Sequence, residues 1–144
     1  MNTDKKNLTL QGDLKRKMNT SPFALGRIYK DYYVATTDAT ATTVYSHLLR
    51  ELAGCKIKAT AIVVKSDGAE GSRLETDSGF IRATAGNITI LGTNTSTSGK
   101  VSTGTPTLTI VVNTGTQSAD VKVTGEASKN FKWQVCIEIE EVQY

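Results

Sequence analysis

The sequence predicts an all-β fold, an antiparallel sandwich or barrel of about seven or eight strands behind a basic N-terminal arm. Three observations predict it. Threonine supplies 22 of the 144 residues, and its branched side chain favours extended backbone over helix interiors. Apolar residues recur with period two in several separate segments, and glycine-, asparagine- and aspartate-bearing turns divide those segments. No strong helix-periodic segment lies between them, which argues against alternating strands and helices. A length of 144 residues, with 38% hydrophobic and 22% charged side chains, suits one globular domain, expected over residues 21–144.

Residues 1–20 are polar and form the arm. They hold Lys5, Lys6, Lys15, Arg16 and Lys17 against Asp4 and Asp13, which accounts for the whole net charge of +3. Leu10, Leu14 and Met18 follow a four-residue spacing, the pattern of a short helix formed on docking. The arm has no aromatic residue on which a base would stack, so nucleic acid is not an expected partner. Residues 23–35 carry four of the nine aromatics, and Tyr29, Tyr32 and Tyr33 suit a strand or a contact surface.

Strands are then expected over Thr42–Glu51, Cys55–Lys65 and Arg73–Ala85, with Ala53-Gly54 and Ser66–Gly71 as the breaks and a bend at Ser78-Gly79. Ile88–Leu91 reads as a short apolar strand. Gly92–Thr105, rich in threonine, serine and glycine, reads as an exposed loop. Thr107–Asn113 alternates cleanly, with Leu108, Ile110 and Val112 inward. Val121 and Val123 mark the next strand, and Phe131–Val142 closes the fold. In that last strand Phe131, Trp133, Val135 and Ile137 share the core face, with Trp133 expected at its centre, while Cys136 shares the other face with Lys132, Gln134, Glu138 and Glu140. Cys55 falls in phase with Ile57, Ala61 and Val63, so the two cysteines face opposite ways and are expected as free thiols. Gly125 is expected to free the backbone for a tight turn between strands.

The residues for chemistry are sparse. His47 is the one histidine and lies within a strand, and a lone histidine without a cysteine cluster does not make a zinc site. It is expected as a hydrogen-bonded strand residue. Glu138 and Glu140 lie on one outer face, with Lys56 and Lys58 as expected cross-strand partners. Asp67-Gly68-Ala69-Glu70-Gly71 lacks the alternating acids of a calcium loop, and Ser98-Gly99-Lys100 lacks the rest of a phosphate-binding loop. No catalytic residue, metal or cofactor is expected. No apolar run approaches the length of a membrane-spanning helix, and residues 1–10 lack the apolar core of a signal peptide, so no membrane partner is expected.

The C-terminal half has a cadence that resembles a module of tailed-bacteriophage virion proteins. It runs TLTIVVN over residues 107–113, then ADVKVTGEASKNFKWQVCIEIEEV over 119–142, where a strand ending in V-T-G is followed by a short turn and a W-x-V strand. The upstream ATTVYSHLLRELAGCKIKATAIVVKSDG is similar to the same module. The resemblance implies a jelly-roll or β-sandwich domain of head decorations, collars or tail fibres, and usually an oligomer. The function it implies is a non-enzymatic structural protein of the virion, made in the host cytoplasm. It would decorate or connect capsid or tail proteins through Lys5, Lys6, Lys15, Arg16, Lys17, Tyr29, Tyr32 and Tyr33. A homo-oligomer is expected, with a trimer favoured. The alternative is a tail-fibre module that binds a host-surface receptor or glycan through residues 66–72 or 92–105.

Overall fold

The computed structural model describes residues 24–101 and 105–144, so the arm expected over residues 1–20 lies outside the described residues. All regular structure among the described residues is β. The strands are β1 (Ala24–Thr36), β2 (Ala41–Leu48), β3 (Ala53–Lys65), β4 (Gly71–Arg82), β5 (Ile88–Val101), β6 (Thr107–Asn113), β7 (Ser118–Thr124) and β8 (Phe131–Gln143). They form two antiparallel sheets packed as a β-sandwich, one of five strands in the order β1-β8-β3-β4-β5 and one of three in the order β2-β7-β6. Strands β3, β4 and β5 run as a meander inside the larger sheet, and the chain changes sheets between β1 and β2, β2 and β3, β5 and β6, and β7 and β8.

The two-residue period explains why these segments are strands. In β8, Phe131, Trp133, Val135, Ile137 and Ile139 are buried, and the residues between them face outward. In β3, Cys55, Ile57, Ala59, Ala61 and Val63 are buried on the same inner face. The smaller sheet answers with Leu108 and Ile110 from β6 and with Val121 and Val123 from β7. Each fully buried Val, Leu, Ile or Phe of this kind stabilises the fold by about 1.5–3 kcal/mol. Leu49 and Phe80 close one end of the core, and Phe131 and Trp133 close the other.

Three local expectations are corrected. The segment 92–105 is mostly strand: β5 continues through it to Val101, paired with β4. Threonine and serine serve there as strand formers, and Ser78 meets Thr93 at 2.8 Å and Thr76 meets Thr95 at 3.4 Å through their hydroxyls. Ala53 and Gly54 open β3 where a break is expected, because each pairs with β4 on one side and β8 on the other. Gly125 is needed for close approach. A Cβ there would lie 2.5 Å from Thr36 Oγ1 and 2.7 Å from the Asp38 carbonyl oxygen, while the positive φ of this turn belongs to Ser128. The bend expected at Ser78-Gly79 coincides with a register shift between Gly79 and Phe80, where Leu91 is the extra residue on β5.

Candidate interaction surface

Among the described residues the smaller sheet leaves the outer face of the five-stranded sheet uncovered, and the residues of that face are set by register. Four successive rows cross β1, β8, β3 and β4: Tyr33, Gln134, Ile62, Arg73; then Asp31, Cys136, Thr60, Glu75; then Tyr29, Glu138, Lys58, Asp77; then Arg27, Glu140, Lys56, Gly79. A fifth row places Val142, Gly54 and Ile81 side by side on β8, β3 and β4.

The middle rows are charged, with Asp31, Glu75, Asp77, Glu138 and Glu140 against Arg27, Lys56 and Lys58, and each of the three bases is ion-paired. Arg27 reaches Glu140 at 2.7 Å and Glu138 at 3.6 Å. Lys58 reaches Glu75 at 3.2 Å and Lys56 reaches Asp77 at 3.6 Å. The expected pairing of Glu138 and Glu140 with Lys58 and Lys56 is therefore corrected. Register does set them side by side, but the glutamates turn to Arg27 on β1 and the lysines to acids on β4. Such exposed pairs contribute little stability each, and here they set the polarity of the face.

The aromatic residues expected at a contact surface divide between two environments. Tyr29 and Tyr33 point outward, 65% and 79% exposed. Tyr32 points inward, half-buried, and stacks on Tyr45 of β2 with ring centroids 5.8 Å apart. Lys5, Lys6, Lys15, Arg16 and Lys17 lie outside the described residues. Tyr29, Asp31, Lys58 and Thr60 border a depression of about 280 Å³ on the outer face.

The titratable groups nearest to chemistry serve structure. His47 Nε2 meets Glu141 Oε2 at 2.7 Å, and both side chains are buried. The contact joins β2 of one sheet to β8 of the other, and sequence distance hides it because 94 residues separate the partners. Burial, with the nearby Glu141 carboxylate, pushes the Cys55 thiol up to about 12, so it stays protonated. Cys136 is exposed on the opposite face, and both cysteines are free. Among the described residues no three His, Cys, Asp or Glu side chains come together as a metal-binding group.

The turn at residues 66–70 is held by charge. Asp67 Oδ1 accepts the Ala69 N–H at 2.9 Å, and Lys65 reaches Asp67 at 3.0 Å and Glu70 at 3.4 Å. Lys129 bridges Glu70 and Glu126 at 2.7 Å each, and those carboxylates raise its pKa, Glu126 most. The β3–β4 turn and the β7–β8 turn are thus joined by one ion network.

These features define the class, an eight-stranded β-sandwich with an exposed five-stranded face. No family model matches the sequence, and no curated protein matches it. Among solved structures the chain is similar to the tailspike protein of Acinetobacter baumannii phage AM24, at 10% identity and a TM-score of 0.41, over 82% of this chain and 26% of that one. It is also similar to the tailspike protein of Acinetobacter phage vB_ApiP_P1, at 18% identity and a TM-score of 0.31, over 74% of this chain and 20% of that one. The chain therefore spans about a quarter and a fifth of the lengths of these two proteins.

Proposed function

We propose that this chain is a non-enzymatic structural protein of a tailed-bacteriophage virion. It joins capsid or tail neighbours through the basic segment 1–20 and the outer face of its larger sheet, within a homo-oligomer for which a trimer is the favoured order. The observation that carries the reading is the outer face itself: Tyr29 and Tyr33 stand exposed on edge strand β1, beside charged rows whose basic side chains are all ion-paired. Aromatic side chains presented this way are typical of protein contact surfaces. The V-T-G turn and W-x-V strand, which resemble the phage virion module, support the same reading. The engaged His47 and the protonated Cys55 favour a structural role over a nucleophilic one.

A second reading has one observation in its favour. Tyr29 with Asp31, Lys58 and Thr60 around a shallow depression combines an aromatic face with polar groups, which is also the chemistry of a glycan or receptor site. Quantitative mass spectrometry of purified virions separates the readings. Tens to hundreds of copies per particle, lost on deletion of residues 1–20 while the sandwich still melts cooperatively, is the expected result. Absence from particles overturns the virion reading, and binding to a glycan array that Tyr29→Ala abolishes supports the second.

A further inference from the structure

We infer that the apolar depression over Gly54 on the outer face is a two-fold contact with a second copy of this chain, each copy placing Leu52 over the other's depression. The depression has a volume of about 410 Å³ and exists because Gly54 lacks a side chain between Ile81 and Val142. Leu91, the bulged residue of β5, forms its far wall. The β3–β8 ladder runs on past the depression, where the Tyr144 N–H donates to the Leu52 carbonyl oxygen at 3.0 Å. Leu52 and Tyr144 therefore lie roughly 7 Å along the strands from Gly54 and Val142. Ile81, Leu52, Val142, Leu91 and Tyr144 are 44%, 47%, 50%, 63% and 91% exposed, an apolar patch at the end of an otherwise charged face. Large exposed apolar residues gathered in one place mark an interaction site. Leu52 carries a second sign. Its backbone is left-handed, with a φ of 56°, a conformation that a leucine rarely adopts, and strain of this kind gathers at binding sites.

Charge and shape select the occupant. Charged groups that border the patch are already paired: Glu140 with Arg27, Lys56 with Asp77 and Glu51 with Arg82. An acidic or basic partner finds no free counter-charge among them, whereas a second copy brings the same apolar patch. The patch also holds both halves of a fit, an exposed leucine and, two residues along β3, a depression where a side chain is missing. A two-fold axis lying across the strands between these positions sets Leu52 of each copy over Gly54 of the other. It also sets Tyr144 of each over Val142 of the other, the reciprocal pattern of an isologous contact. The two sheets then overlap only at these ends, face to face with aligned strands, and the charged rows of each copy extend away from the contact. The five side chains offer on the order of 500 Å² per copy, about 1,000 Å² over both, which is the least that a specific interface needs. The contact is therefore weak and concentration-dependent. This inference needs only two copies of the chain and stands whether or not the protein belongs to a virion. In a trimer the same contact joins trimers in pairs.

Sedimentation equilibrium of the full chain tests it. The mass is expected to double with concentration, in the micromolar range or above for a contact of this size. Leu52→Asn suits the left-handed backbone and removes the apolar side chain, so it should leave the melting temperature unchanged or raised. It should nevertheless weaken the doubling by about tenfold or more, as should Leu91→Asp on the exposed far wall. Val64→Asp, exposed at the opposite end of the face, should leave the doubling intact, and thermal melting confirms that each variant stays folded. A mass that does not double up to millimolar concentration would overturn the inference, as would a doubling that survives both Leu52→Asn and Leu91→Asp. Flotation of a chain of unchanged mass with phosphatidylcholine vesicles, abolished by Leu91→Asp, would also overturn it and assign the patch to lipid.

Discussion

The indole Nε1–H of Trp133 donates to Thr36 Oγ1 at 2.9 Å, with both residues buried. The bond ties the start of the core face of β8 to the last residue of β1, and Gly125 presses against the same threonine from the β7–β8 turn. Three segments distant in sequence are thereby fixed at one end of the sandwich. Trp133→Ala removes the largest buried side chain and should cost about 3–5 kcal/mol. Thr36→Val keeps the volume but orphans the indole N–H, and should cost about 1–3 kcal/mol. Urea titration of both variants measures the two terms separately.

Gly125→Ala should destabilise by about 1–3 kcal/mol or more, because the new methyl group meets Thr36 Oγ1 and a backbone carbonyl together. Thr36→Ala in the same chain removes only the first clash, since the Asp38 carbonyl oxygen remains at 2.7 Å. A double-mutant cycle should therefore show partial rescue. Full additivity of the two costs would mean that the turn moves to absorb the methyl group.

Asp120 should govern part of the acid limb of stability. Its carboxylate is buried on β7, which disfavours the charge, but hydrogen bonds from Ser118 at 2.8 Å, from Ser46 and from Asn113 at 3.2 Å outweigh burial and lower its pKa. A lowered folded value means that the stabilisation is fully present above the unfolded carboxylate value of about 3.9 and is lost as pH falls below it. Asp120→Asn should flatten the fall in melting temperature below about pH 4 relative to the wild type. An unchanged acid limb would contradict the assignment.

The two thiols should differ in reactivity. Cys136 is exposed, although its hydrogen bond with Asp31, aided by burial, raises its pKa. Cys55 is buried and pushed up to about 12. Titration of the native protein with a thiol reagent at pH 8 should modify one thiol per chain, slowly, and both in denaturant. Two reactive thiols in the native state would show that β3 opens.

Glu141→Ala should cost about 1–3 kcal/mol, because it strips a buried histidine of the partner that reaches it from the other sheet. Glu141→Gln keeps one acceptor for His47 and should recover much of that loss in thermal melts.

The strands that face a core on one side only were legible because their alternation is local. Trp133, Val135 and Ile137 were readable as core residues, and Cys55 and Cys136 as residues of opposite faces, from parity alone. The β5 strand was not. A threonine- and serine-rich edge strand has the composition of a loop, and it is ordered as a strand by the ladder that β4 offers. The partners of Lys56, Lys58, Glu138 and Glu140 were equally hidden, since each residue has a neighbour on both sides and a sequence does not rank them.

By itself, then, the sequence determined the all-β class, the approximate strand positions and which side chains of each strand turn inward, because a period of two is written into consecutive residues. Tertiary structure decided the division into five and three strands, the meeting of His47 with Glu141, the steric demand on Gly125 and the apolar depression over Gly54. Each of these depends on which strands become neighbours, and strand pairing joins residues from distant parts of the chain whose contact no local pattern encodes.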